Sequence, residues 1–216
     1  MKKKIMSKLF YEVLDKKQKE VFLDLRKSGI PGILSGGTAI ALQLKHRRSF
    51  DFDIFFPEPL KKSLILKVNK VFPKEKIQVL VDSEDELTFL SEKTKITYLY
   101  FPFPPLYKTV PTQSLSLFSL PDLASNKAYS IGRRGIYRDY VDIFFLLKSG
   151  IDLKKIVNDS QKRFSGNFNE KLFLGQLVYF ADLKDLVIEY IDKKYTPSQI
   201  RSFLEKEVRK YTQKRV

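Results

Sequence analysis

Two short clusters in the first quarter of the chain carry residue types that can do chemistry. Gly36-Gly37 stands in the run Ile33-Leu34-Ser35-Gly36-Gly37-Thr38, and Asp51 and Asp53 stand in Ser49-Phe50-Asp51-Phe52-Asp53-Ile54. Strand side chains alternate between faces. The second run therefore predicts a strand with Ser49, Asp51 and Asp53 on one face, and with Phe50, Phe52 and Ile54 buried on the other. Two carboxylates held so close repel each other unless a cation or a proton lies between them. Mg²⁺ suits such a pair, because it takes hard oxygen ligands and keeps positions open for phosphates.

The glycine pair joins a short buried strand, Ile33 to Ser35, to a helix over Thr38–Leu44 that is apolar on most faces. Glycine lets the backbone turn sharply and approach a ligand, and the N–H groups at a helix start favour an anion. A phosphate cradle followed by an acid pair is the outline of a nucleotidyl-transfer site, with an NTP as substrate. Taken singly, each cluster has a plainer reading, Gly-Gly as a turn and Asp-x-Asp as a solvated strand edge. Their combination is more specific: Gly-Gly, thirteen residues (Thr38 to Phe50), then Asp51-Phe52-Asp53-Ile54.

This spacing resembles the signature of the polymerase-β-type nucleotidyltransferase superfamily. The fuller wording, Gly36-Gly37-Thr38-Ala39 and His46-Arg47-Arg48-Ser49-Phe50-Asp51-Phe52-Asp53, looks like its AbiEii/AbiGii toxin branch. Two later blocks also match in order. One is Ile96 to Pro104, and the other runs through Asp122-Leu123-Ala124-Ser125-Asn126-Lys127-Ala128, Arg134-Gly135 and Arg138-Asp139-Tyr140-Val141-Asp142. The resemblance implies that Asp51 and Asp53 bind Mg²⁺, one ion or two, and that Lys127 and Asp142 join them as catalytic residues. Lys127 would lie on the triphosphate, with Asp142 near the metal or the attacking hydroxyl. Gly36, Gly37, Thr38, Arg47, Ser49 and Arg134 are the nucleotide-binding candidates. Arg134 has an alternative role as an ion-pair partner of Asp139, and the lone His46 reads as structural. Many superfamily members carry a third metal carboxylate on a later core strand, whereas Ile96–Phe101 offers Thr97 and no acid. Either Asp142 substitutes for it, or a second metal is held mainly by phosphates. The resemblance further implies a cognate antitoxin partner, and RNA, with a tRNA 3′ end foremost, as acceptor.

The surrounding chain supplies the elements that must hold these residues. Apolar periodicity predicts an amphipathic helix from about Lys8 to Ser28, closed by Gly29-Ile30-Pro31-Gly32, and another over Leu60–Phe72. Strands are predicted at 77–81, 86–90 and 95–101, the last two as a hairpin. After about Ser114 the pattern turns helical, with a capped start at Ser119-Leu120-Pro121-Asp122. Further helices are predicted over Ile136–Lys148, Leu153–Phe164 and Lys171–Phe180, and a last one opens at the capping box Thr196-Pro197-Ser198-Gln199. The basic tail, Arg209 to Arg215, is expected to fray. The predicted fold is α/β (α+β): a nucleotidyltransferase core over 1–114 with a mixed sheet flanked by helices, then a helical region over 115–216 that contributes Lys127 and Asp142.

The chain of 216 residues carries 40 Lys and Arg against 25 Asp and Glu, a formal net charge of +15. Such an excess points to a polyanionic partner, nucleic acid before an anionic membrane surface. A lysine-rich composition with solvated charges is the plainer alternative. Cysteine is absent, and the single His rules out a multi-histidine zinc site. Lys8, Glu12 and Asp15 interrupt any signal-peptide core after Met1-Lys2-Lys3-Lys4, and no stretch is apolar enough to span a bilayer. A soluble, cytoplasmic protein with no membrane partner is expected. Three other functions remain open at this stage: a nucleotide-binding or antitoxin-docking module without turnover, a transferase acting on a protein or small molecule, and a plain basic RNA-binding module.

Overall fold

The sheet is built from five short strands: β1 (Ile33–Ser35), β2 (Phe52–Phe56), β3 (Ile77–Asp82), β4 (Glu86–Ser91) and β5 (Thr94–Tyr100). The computed structural model describes residues 8–73, 76–91 and 93–213. The strands lie in the order β1-β2-β5-β4-β3. β2 and β5 are parallel and the remaining pairs antiparallel, so the sheet is mixed, as the sequence predicts. Helices α1 (Lys16–Lys27), α2 (Gly36–Leu44) and α3 (Leu64–Val71) interleave with the strands. Helices α4 (Leu120–Ile131), α5 (Tyr137–Lys148), α6 (Leu153–Phe164), α7 (Glu170–Val178) and α8 (Pro197–Gln213) follow. Among the described residues no helix is long and apolar enough to cross a membrane.

The chain forms two compact units, one made of the sheet with α1–α3 and Thr109–Phe118, the other of Phe103–Lys108 with α4–α8. In the first unit one sheet face buries Leu34, Phe52, Ile54, Leu87, Phe89, Ile96 and Tyr98. Phe22 of α1 stacks on Phe52 at 5.8 Å between ring centroids, and Phe72, at the end of α3, meets Phe89 at 5.7 Å. Because alternate residues face opposite ways, the other face carries Ser35, Asp53, Thr97, Thr88 and Glu86. The strand register lines up Ser35, Asp53, Thr97 and Thr88 across four strands.

Several boundaries differ from the sequence expectation, each for a local reason. α1 starts at Lys16, not near Lys8, because Asp15 and Gln18 cap it reciprocally; Tyr11–Val13 is one tight turn. α3 begins only at Leu64, and α7 begins at Glu170, where Asn169 caps it. α8 continues to Gln213, so Arg209–Gln213 is helical, not frayed. The expectations for Met1–Lys4 and for the last three residues lie outside the described residues.

The largest correction concerns the acid strand. β2 begins at Phe52, and Phe50 is 44% exposed where the alternation predicted a core residue. Gln18 Nε2 donates to the Ser49 carbonyl at 2.8 Å, and Thr38 Oγ1 donates to the Asp51 carbonyl at 2.5 Å. These carbonyls are tied to α1 and α2, which takes Ser49–Asp51 out of the ladder.

In the second unit a buried arginine organises the turn into the helices. Arg163 donates to the carbonyls of Pro104 (2.8 Å), Phe103 (3.0 Å) and Asp122 (3.1 Å), and to Ser125 Oγ (3.0 Å) and Asn126 Oδ1 (2.8 Å). The Asp122 carboxylate in turn accepts from the Leu106 N–H at 2.8 Å, the Tyr107 N–H at 3.2 Å and Ser119 Oγ at 2.8 Å. Burial pulls the Arg163 pKa down to about 10, with Asp122 acting in the opposite direction, so the guanidinium stays charged at neutral pH. Arg163→Ala is expected to cost about 3–5 kcal/mol in urea unfolding, because it leaves the buried Asp122 carboxylate without the cation 3.7 Å away and several carbonyls without their donor. Arg163→Lys should recover only part, since an ammonium lacks the planar fork.

Candidate active site

The β1–β2 register sets Ser35 opposite Asp53. Gly36 follows at once with φ +68°, a left-handed conformation that turns the chain from β1 into α2 without a loop. A Cβ at Gly36 would fall 2.1 Å from Asp53 Oδ2 and 3.2 Å from Asp53 Cβ. A Cβ at Gly37 would fall 2.3 Å from Arg47 Nη2 and 2.9 Å from Ser49 Oγ. The structure thus gathers Gly36, Gly37, Arg47, Ser49 and Asp53 around the first turn of α2, where backbone N–H groups favour an anion.

The segment between α2 and β2 returns to that turn because Lys45 caps α2 in the left-handed conformation, φ 55°. His46 and Arg47 are buried behind it, and Arg47 Nη1 donates to the Arg48 carbonyl at 2.8 Å. Arg48 Nη1 reaches the Val13 carbonyl at 3.2 Å. Thr38 is buried, and its hydroxyl fixes the Asp51 main chain. Gln18 does the same for Ser49. Nothing in the local sequence marks Gln18 as a site-positioning residue, because its reach of 31 positions is a tertiary fact.

Asp51 lies one residue before Phe52, and Lys95 lies one residue before Ile96, the β5 partner of Phe52. Lys95 Nζ stands 3.4 Å from Asp51 Oδ2, both side chains partly exposed. Beside them Thr97 pairs with Asp53 in the parallel ladder. Thr97 Oγ1 is 3.0 Å from Thr88 Oγ1, which donates to Glu86 Oε1 at 2.6 Å. Among the described residues no group of three or more His, Asp or Glu side chains is placed to hold a metal by itself. Two hard carboxylates beside a glycine cradle nonetheless fit Mg²⁺, which keeps waters and substrate phosphates as its remaining ligands.

The second unit holds Lys127, Asp142 and Arg134. Lys127 on α4 is 9% exposed, and its Nζ lies 2.6 Å from Asp139 Oδ1 and 2.8 Å from Asp142 Oδ2. Asp139 and Asp142 stand three apart on α5 and so share a helix face. Arg134 is largely exposed, with Nε 3.8 Å from Asp139 Oδ2. The sequence set Asp139 only against Arg134 as a possible ion pair. The i, i+3 spacing of the two acids was the available signal that both face one cation.

The mixed sheet, with its glycine joint at β1–α2 and the acid pair entering β2, defines a nucleotidyltransferase-type fold. MenT4, a nucleotidyltransferase toxin from Mycobacterium tuberculosis H37Rv, matches it with a TM-score of 0.62 at 14% identity, over 89% of this chain and 80% of that one. An H. pylori protein provisionally described as a nucleotidyltransferase matches with a TM-score of 0.56 at 16% identity, over 95% and 97% of the two chains. The antibiotic-resistance factor ANT(2″)-Ia matches with a TM-score of 0.51 at 11% identity, over 69% and 92%. At these identities the likeness is one of fold. The chain belongs to the same family as the uncharacterized protein aq_aa25 of Aquifex aeolicus (strain VF5): the two are 31% identical over 206 residues, 92% of this chain and 97% of that protein. No model of a known protein family matches the chain.

Gly29 provides an internal control for the joint, since it has φ +61° and open space around its would-be Cβ. Gly29→Ala is expected to cost about 1–2 kcal/mol in unfolding, for the left-handed backbone alone. Gly36→Ala should cost about 1–3 kcal/mol more, through overpacking against Asp53. Equal losses would show that Asp53 does not crowd Gly36. In the second unit, Lys127→Met should cost about 3–5 kcal/mol by leaving two buried carboxylates without their cation. The double variant with Asp139→Asn should recover part of that loss in the same urea titration.

Proposed function

We propose that the protein is a Mg²⁺-dependent nucleotidyltransferase of the AbiEii/AbiGii toxin type, transferring a nucleoside monophosphate from an NTP to an acceptor hydroxyl. The observation that carries this assignment is the apposition of Asp53, Arg47 and Ser49 to the glycine joint at the start of α2. Phosphates need a site without side-chain bulk and with N–H donors, and the acid pair stands directly beside such a site. The likeness in fold to MenT4 and ANT(2″)-Ia supports the same reaction class.

In this proposal Asp51 and Asp53 hold the metal, which when bound neutralises phosphate charge and makes the α-phosphorus more electrophilic. Gly36, Gly37 and the N–H of Thr38 cradle phosphates, and Arg47 adds positive charge there. The acceptor hydroxyl attacks the α-phosphorus, the α–β phosphoanhydride bond breaks, and pyrophosphate leaves. The hydroxyl proton passes to a carboxylate, a role given to Asp142, and Lys127 neutralises charge on the leaving pyrophosphate. Arg134 assists at phosphate.

The acceptor is RNA, with a tRNA 3′ end foremost, and the partner is an antitoxin in a cytoplasmic toxin–antitoxin or phage-defence pair. The net charge of +15 supports a polyanionic acceptor, and MenT4 supports the toxin role. ANT(2″)-Ia, as an antibiotic-resistance factor, favours a small-molecule acceptor as the second possibility.

Incubation of the purified protein with total RNA, Mg²⁺ and each labelled NTP tests the assignment. One or more NTPs should label RNA 3′ ends. Asp53→Asn should abolish labelling while leaving stability unchanged or slightly raised, since like-charge repulsion is relieved. Label on a protein or small molecule, lost in Asp51→Asn, would refute the RNA acceptor and keep the reaction. No transfer to any acceptor by a folded, nucleotide-binding protein would leave a binding or docking module without turnover.

A further inference from the structure

On the basis of the nucleotidyl-transfer assignment above, we propose that Lys95 gates the metal site, keeping the acid pair poorly occupied until a nucleotide arrives. The parallel β2–β5 pairing sets Thr97 beside Asp53, and Lys95, two residues earlier on β5, reaches Asp51 just ahead of β2. Those positions hold a lysine and a threonine, so neither adds a carboxylate to the site. Lys95 Nζ lies 3.4 Å from Asp51 Oδ2, and Thr97 faces Asp53.

The consequence is electrostatic. Affinity for a hard divalent cation rises with the number of charged oxygen ligands. Lys95 subtracts from that number twice, by occupying an Asp51 oxygen and by placing a like charge next to the cation. The side chains are 41% and 32% exposed, so the ion pair is solvated and weak enough to exchange. A triphosphate brings its own oxygens to the metal and offers the ammonium another anion. Lys95 can then leave Asp51 for a phosphate oxygen, and metal entry becomes coupled to nucleotide entry. Lys95 is thus a positioning residue that acts through Asp51.

The test is Mn²⁺ binding, read by electron paramagnetic resonance and calorimetry, first without nucleotide and then with a non-hydrolysable NTP analogue. One unit charge a few ångströms from a divalent ion in water-like surroundings changes its affinity by roughly tenfold. Lys95→Ala should therefore bind Mn²⁺ about tenfold more tightly than wild type without nucleotide, and show a smaller gain on adding the analogue. Lys95→Arg, which keeps the charge, should match wild type. The gain should vanish in Lys95→Ala combined with Asp51→Asn. Equal nucleotide-free affinities for wild type and Lys95→Ala would overturn the gating role. The metal site itself would then still stand if wild type binds Mn²⁺ with the analogue and Asp53→Asn does not. Absence of Mn²⁺ binding in every variant, with or without the analogue, would remove the metal-site assignment and the gate with it.

Discussion

The first unit depends on how closely the Asp53 side chain approaches Gly36, where an added Cβ would fall 2.1 Å from Oδ2. This approach follows from one register, Ser35 opposite Asp53, and one dihedral angle, φ +68° at Gly36. A strand that feeds directly into a helix leaves no loop to absorb a misfit. The first turn of α2 therefore lies wherever β1 puts it, and β1 is placed by pairing with β2. The main chain of Leu34 is held on its other side as well, its N–H by the Ser116 carbonyl at 2.9 Å and its carbonyl by the Phe118 N–H at 3.0 Å. The glycine joint and Asp53 are in this sense one object, and moving either strand would separate them.

The two units use lysine in opposite ways. Lys127 is enclosed and bridges two buried carboxylates on α5, and removing it leaves those charges buried without their shared cation. Lys95 makes one longer, half-solvated contact to Asp51. A buried ion pair sets geometry, whereas an exposed one sets a potential that a ligand can change. In a chain of formal charge +15, burying acids against selected cations also leaves the remaining lysines and arginines to present positive charge to solvent.

Backbone carbonyls near the site are held by side chains distant in sequence. Gln18, which closes the capping box of α1, also reaches the Ser49 carbonyl, and Thr38 reaches that of Asp51. Phe50 is consequently exposed and β2 is shorter than its alternating pattern suggests. In the second unit Arg163 plays the corresponding part for Phe103 and Pro104, sixty and fifty-nine positions earlier.

Much of this protein was legible in the sequence. The period of two around Phe52 and Ile54 gave the buried face of β2, the glycine pair gave the joint, and Ser119 and Thr196 marked helix starts, because all of these are governed by neighbours within a few residues. The mixed α/β class followed from the order of such elements, and the family-like spacing brought Gly36, Gly37, Arg47, Ser49 and Asp53 into one list. Tertiary structure alone decided the rest. Local pattern could not show that Lys95 faces Asp51, since that depends on a parallel pairing across more than forty residues. It could not show that Lys127 sits between Asp139 and Asp142, because a lone lysine on a helix reads as solvated until its neighbours are known. Alternation also failed at Phe50, where side chains from α1 and α2 took the carbonyls that a ladder would have used. The physical reason is common to all three: local sequence sets backbone preference and facing, but charge pairing and carbonyl satisfaction are settled between segments that only the fold brings together.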